Sequence, residues 1–164
     1  MKRLLRIFMS VLLISSLSVN VLAAENTPEI DYSMAMSDSE IMEETSELDL
    51  PSLRTLYILG VLTTITEKDD GRILMGVQVY CTEIMQEITT VFYLQQEISG
   101  GWVNVASYTV TSEDVDHHVR AAYVINAPSG NYRVKTVNRV RDYNGFAESV
   151  TGFSPNMRYY NANL

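Results

Sequence analysis

A single cysteine, Cys81, stands among 164 residues, so no intramolecular disulfide can support this fold and its core has to hold by packing. Cations are missing altogether from residues 25–50, where nine carboxylates have no Lys or Arg to oppose them. The chain has no Gly-x-Ser-x-Gly elbow, and its two histidines, His117 and His118, are adjacent, so a nucleophile–base pair has no obvious members. Beyond the N-terminal segment no stretch keeps a long 3.6-residue apolar period, which leaves little room for helix. The longest apolar stretch, Ile7 to Leu17, is shorter than the ~20 residues a membrane span needs, and Ser10, Ser15 and Ser16 interrupt it.

That stretch has a different use. Lys2, Arg3 and Arg6 precede it, and Val21-Leu22-Ala23 follows with the small residues that a leader peptidase accepts. Residues 1–23 are therefore expected to be a cleaved secretory signal peptide. Cys is absent near the cut, so a lipid-modified N-terminus is not expected, nor any membrane contact after cleavage. The protein is expected to be secreted and extracellular. Removing three cations takes the positive charges from twelve to nine against twenty negative ones, a net −11 in place of −8. Such an acidic protein is a poor partner for nucleic acid, whose phosphates need clustered Lys and Arg.

Residues 24–52 form the acidic stretch, with Glu25, Glu29, Asp31, Asp38, Glu40, Glu43, Glu44, Glu47 and Asp49. Like charges with few aromatics resist collapse, so a disordered linker is expected, with a docking peptide as the alternative. From residue 53 to 164 the composition turns to Val, Ile, Thr, Tyr and Phe. Seven runs carry it: Arg54–Thr66, Arg72–Cys81, Glu87–Gln96, Trp102–Thr111, Val119–Asn126, Tyr132–Arg141 and Phe146–Ser154. Between them stand Asp69-Asp70-Gly71, Ser99-Gly100-Gly101, Pro128-Ser129-Gly130 and Asn144-Gly145. Seven short strands with regular turns predict an all-β, seven-strand, immunoglobulin-like antiparallel sandwich, with a small closed barrel as the other topology. The apolar parity of the first run shifts near Gly60, as it would where a strand passes from one sheet to another. Pro128, Gly130 and Tyr132 resemble a tyrosine corner, whose hydroxyl bonds a backbone group just upstream. Cys81 shares a strand face with Ile73, Met75, Val77 and Val79, which predicts a buried thiol.

Several of these runs together resemble a known group. They are Leu56-Tyr57-Ile58-Leu59, Val91-Phe92-Tyr93-Leu94-Gln95, Gly101-Trp102-Val103-Asn104-Val105, Ser129-Gly130-Asn131-Tyr132-Arg133-Val134-Lys135 and Gly145-Phe146-Ala147-Glu148-Ser149. The stretch from about 53 to 155 resembles a family of small, uncharacterised secreted domains of Gram-positive bacteria. The resemblance implies export and a β-sandwich, and brings no catalytic residue. Where such domains carry a His after the Tyr-Arg-Val-Lys run, this chain has Asn138.

Two sequence clusters invite a chemical reading. Glu113, Asp114, Asp116, His117 and His118 contain metal-ligand types, but adjacent histidines rarely converge on one ion and the spacing fits no known site; a solvated acidic loop is expected, with no metal and no cofactor. Asp69-Asp70-Gly71 reads as a turn, not a Ca²⁺ loop. With no catalytic constellation, an enzyme is not expected. The second cluster is Arg133, Lys135, Arg139 and Arg141, on one parity of the sixth run, beside a strand carrying Tyr93 and Gln95. A two-residue Asn144-Gly145 turn would set Arg141 opposite Glu148 and Arg139 opposite Val150, leaving Arg133, Lys135 and Arg139 without an acidic partner on the last strand. This basic, partly aromatic face is the candidate ligand site, against the plainer reading of a solvated sheet surface. Its partner would be an anionic cell-envelope polymer, a glycan or a protein. A secreted non-enzymatic binding module, expected to be a monomer, is the leading function; a bacteriocin-like or inhibitory antagonist is the alternative.

Overall fold

The computed structural model describes residues 29–31 and 55–161, with the backbone alone for the first three. The signal peptide expected over 1–23, and the linker expected over 24–52 apart from Glu29–Asp31, lie outside the described residues. Seven strands appear and no helix among the described residues: β1 (Glu29–Asp31), β2 (Ile58–Glu67), β3 (Ile73–Ile98), β4 (Gly101–Ile125), β5 (Gly130–Arg141), β6 (Ala147–Phe153) and β7 (Met157–Tyr159). All belong to one antiparallel sheet in the order β1-β4-β3-β5-β6, with β2 also on β3 and β7 also on β5.

The count of seven matches the sequence reading, but the strands are not the same seven. The second and third expected strands are one strand, β3, and the fourth and fifth are one strand, β4. Both bend at the same level. Tyr80 pairs with His117 and Met85 with Val115, so Cys81 to Ile84 bulge against Asp116 alone. Extra residues on one strand curve a ladder without ending it. Polar residues at the bend, including Glu83, Glu113 and Asp114, look like a loop in one dimension, yet the backbone stays paired on either side. The other two strands lie outside the expected runs: β1 falls within the expected linker, pairing Glu29 with Ile125 and Asp31 with Tyr123, and β7 follows Pro155.

The bend folds the sheet into two facing halves. One half holds β2, the first part of β3, the second part of β4 and β1. The other holds the first part of β4, the second part of β3, β5 and β6. Between them lies a core of Ile58, Ile73, Met75, Val77, Val79, Met85, Ile88, Phe92, Leu94, Val124, Tyr132, Val134 and Val140. Cys81 is in it, as its parity predicts. β2 crosses over β5 and β6, where the Thr63 and Thr136 hydroxyls meet at 2.7 Å. Gly152 permits that approach, since a Cβ there would collide with both hydroxyls.

Local turn chemistry explains the registers. Ser99 and Gly100 both take positive φ, 53° and 79°, and close a two-residue hairpin between Ile98 and Gly101. That is the requirement of a type I′ turn. Asn144-Gly145 does something else. Asp142 N–H donates to the Phe146 carbonyl and Gly145 N–H to the Asp142 carbonyl, with Gly145 at φ 85°. This is a three-residue loop with a glycine bulge, and Lys68–Arg72 repeats it around Gly71. The Asp142 carboxylate favours it by accepting from the amides of Asn144 and Phe146. The expected pairs are therefore corrected by one residue: Arg141 faces Ala147 and Arg139 faces Ser149. The parity shift near Gly60 is a bulge at Leu59, which points outward with 54% exposure. Tyr132 is fully buried, and its hydroxyl donates to the Pro128 carbonyl at 2.7 Å, the bond expected of the corner.

Candidate functional site

The outward faces of β4, β3, β5 and β6 make a table four strands wide below the bend. Strand alternation sends Phe92, Leu94, Val134 and Val140 inward and puts their neighbours Tyr93, Gln95, Arg133, Lys135, Arg139 and Arg141 on the outer face, where Gln95 is nevertheless buried. The pairing sets Gln95 opposite Arg133, Tyr93 opposite Lys135, Thr89 opposite Arg139 and Glu87 opposite Arg141. All five expected site residues thus lie on one face.

Their side chains interlock. Arg133 Nε donates to Gln95 Oε1 at 2.8 Å, and Gln95 Nε2 donates to Asn104 Oδ1 at 2.8 Å. The Arg133 guanidinium also lies 4.4 Å from the Trp102 ring centre and 4.7 Å from that of Phe153. A guanidinium held between aromatic faces keeps its charge and much of its hydrogen-bonding capacity for a ligand. Lys135 Nζ sits 5.7 Å from the Tyr93 ring centre. Arg139 is exposed, and among the described residues it makes no ion pair. Arg141 does pair, at 2.9 Å, but with Glu87 of β3 and not with Glu148. Glu148 instead points toward β2 and accepts from the amides of Leu56, Tyr57 and Ile58.

Trp102 and Phe153 are the site residues that sequence reasoning missed. Phe153 faces Lys135 only in the corrected register; the two-residue turn would have put Ser154 there. Trp102 reaches the face because β4 carries one extra residue between Asn104 and Ala106, a shift with no sequence signature. The surface is hydrogen-bonded within itself, as at Thr89 and Thr111, whose hydroxyls stand 2.9 Å apart. A ladder of outward side chains along strands suits an extended chain better than a small molecule, which needs a concave site.

The other clusters offer less. His117 and His118 project from opposite sides of β4: His117 is exposed beside Asp116 at 2.7 Å, while His118 is buried with Nδ1 3.0 Å from Ser112 Oγ. The region is strand at a bend and not the expected loop. No group of three metal-ligating side chains occurs among the described residues. An open depression of about 480 Å³ lies between the β2–β3 turn and Tyr159–Asn161. Its Asp70 is held by Arg72 at 2.6 Å, which lowers the carboxyl below its usual range, and its Tyr159 hydroxyl is committed to the Gly71 carbonyl. Burial, with Glu148 and Asp116 nearby, pushes the Cys81 thiol up to about 12, far from a nucleophile's range.

No family model matches this chain, and no curated protein matches it.

Proposed function

We propose that this is an exported, non-enzymatic binding module that takes a linear anionic polymer of the cell envelope on the outer face of β4–β3–β5–β6. On this reading residues 1–23 direct secretion, and the protein works outside the cell as small uncharacterised secreted domains of Gram-positive bacteria do. The folded-over sheet serves as an immunoglobulin-like sandwich serves, as a rigid frame whose face meets the partner. One observation carries the reading: Arg133, Lys135 and Arg139 line one strand of an otherwise acidic molecule, two of them against aromatic rings. Residues two apart on a strand repeat every ~6.8 Å, so this column offers positive charge at spacings an extended polyanion can follow. Tyr93 shields one side of the Lys135 ammonium and leaves the other for the ligand, while Arg133, held between two rings, offers its edge N–H groups.

The test is binding of the secreted chain to polyglycerol phosphate, with neutral dextran as control, over a series of salt concentrations. Charge attraction at an exposed face is screened within ~8 Å at physiological ionic strength, so affinity should drop steeply as salt rises. Lys135→Ser with Arg139→Ser should lower affinity at least tenfold with little change in thermal midpoint, because neither side chain is part of the core. Binding that ignores salt, or survives the double change, would mean that this face is only a solvated surface.

A further inference from the structure

Below the bend, β3 buries every second residue: Ile88, Phe92 and Leu94 are buried, while Val91 and Tyr93 between them are half-buried. Above the bend that alternation is lost. Ile73 to Val79 are seven buried residues in a row, and Val119 and Ala121 to Val124 of β4 are buried beside them. Alternate residues of a strand face opposite sides of the sheet, so an unbroken buried run means that both sides are covered. The side chains pointing away from the core here are Leu74, Gln78, Val119, Ala121 and Tyr123, with Leu74 opposite Tyr123 and Gln78 opposite Val119. Leu74 is only 3% exposed and Gln78 only 1%.

No described strand supplies that cover. All seven belong to the one sheet, and its second half meets the first on the core side. The Arg72 guanidinium lies over Tyr123, 4.0 Å from the ring centre, but that is the end of the patch away from the bend, and Gln78 and Val119 lie at the other. The path of the chain indicates what lies there. β1 runs along the β4 flank with Asp31 opposite Tyr123, and the chain enters β2 on the far flank, where Thr82 N–H donates to the Tyr57 carbonyl. Residues 32–54 join these two flanks, which stand three strand spacings, ~14 Å, apart. The core side is filled, so the outer side is the direct way across.

We infer that residues 32–54 lie across the outer face of β4, β3 and β2 above the bend and bury it as a third layer of the fold. Composition fits this occupant. The segment carries Met34, Met36, Ile41, Met42, Leu48 and Leu50 to set against Leu74, Val119 and Tyr123. Unbranched Met adapts well to an irregular apolar surface. The six carboxylates from Asp38 to Asp49 meet no carboxylate within the buried patch, and the cation of Arg72 stands at its rim. The outer faces of the two halves look in opposite directions, so these carboxylates are kept away from Arg133, Lys135 and Arg139. The basic face stays open. The sequence leads one to expect a disordered linker; the burial points to a docked one.

Nitration of the full secreted chain by tetranitromethane, read tyrosine by tyrosine with mass spectrometry, tests this. Tyr160, 60% exposed, marks the open rate, and Tyr132 in the core marks the closed one. Tyr123 should react at least an order of magnitude more slowly than Tyr160, at every protein concentration. Met34→Ser, Met36→Ser, Ile41→Ser and Met42→Ser together should raise Tyr123 toward the Tyr160 rate and leave Tyr132 protected. A wild-type Tyr123 that reacts like Tyr160 overturns the inference. So does protection that grows with concentration, which would make a second copy the cover, or protection that survives the combined change. Should that variant fail to fold, with Tyr132 reacting as well, Thr64→p-benzoylphenylalanine in the otherwise unchanged chain decides. Thr64 is half-buried on the same face, opposite Gly76. Irradiation should link it to residues 32–54 of its own molecule. A link to another molecule, or none to that segment, overturns the inference.

Discussion

Glu148 accepts a hydrogen bond from the Ile58 amide at 2.7 Å, and so ties the start of β2 to the start of β6 across 90 residues of sequence. The same carboxylate takes the amides of Tyr57 and Leu56, each at 3.0 Å. Beside it the Tyr57 hydroxyl donates to Asp142, and the Tyr57 ring meets Phe146 edge-on at 5.6 Å. One acidic side chain thus closes the gap between two strands that share no ladder.

Removing that carboxylate should loosen β2 before the rest of the sheet. Glu148→Ala leaves three amides to find water, and an unmade bond to a partly buried group costs about 1–3 kcal/mol. The denaturation midpoint should fall accordingly. Exchange should quicken first at Ile58 to Thr63 and not at β3 or β4. A uniform quickening over all strands would show that Glu148 does not act as a local clasp.

Tyr132 anchors the turn into β5. Its ring lies at 6.1 Å from that of Tyr159, edge to face, and burial with Tyr159 nearby pushes its phenol up to about 12. Tyr132→Phe keeps the ring and removes the bond to Pro128, for a loss of about 1 kcal/mol. Chemical denaturation measures it. An unchanged midpoint would mean that the hydroxyl contributes nothing to the corner.

His118 should make stability depend on mildly acid pH. It is fully buried, its Nε2 has no partner among the described residues, and the cation of Arg120 lies on the same strand. Burial first, and Arg120 second, hold its pKa down to about 4 from an ordinary 6.5. Between those values the unfolded chain binds a proton that the folded one refuses, so stability falls as pH drops from 6.5 toward 4 and is complete above 6.5. The whole effect is at most about 3 kcal/mol. His118→Asn should flatten the stability profile in that window relative to wild type. Parallel profiles for the two proteins would assign the acid sensitivity to carboxylates elsewhere.

The extended character of the main runs and the direction their side chains face were legible in the residues themselves. Alternation places Ile73, Met75, Val77, Val79 and Cys81 inside, and puts Arg133, Lys135, Arg139, Tyr93 and Gln95 outside on adjoining strands. Both follow from the two-residue period of an extended chain, which needs no knowledge of distant contacts. The Tyr132 corner was equally local, since its acceptor is four residues away. Tertiary structure alone decided how the strands connect and what surrounds each cation. A charged bend and a charged loop look alike in one dimension, because what separates them is whether a partner strand carries the ladder past Cys81 to Ile84. A one-residue difference between two Asn-Gly turn geometries moved Phe153 onto the site and Glu148 away from Arg141, since register passes unchanged along every later pair. Arg133 therefore owes its outward direction to its neighbours in sequence, and its place between Trp102 and Phe153 to pairing that spans the whole sheet.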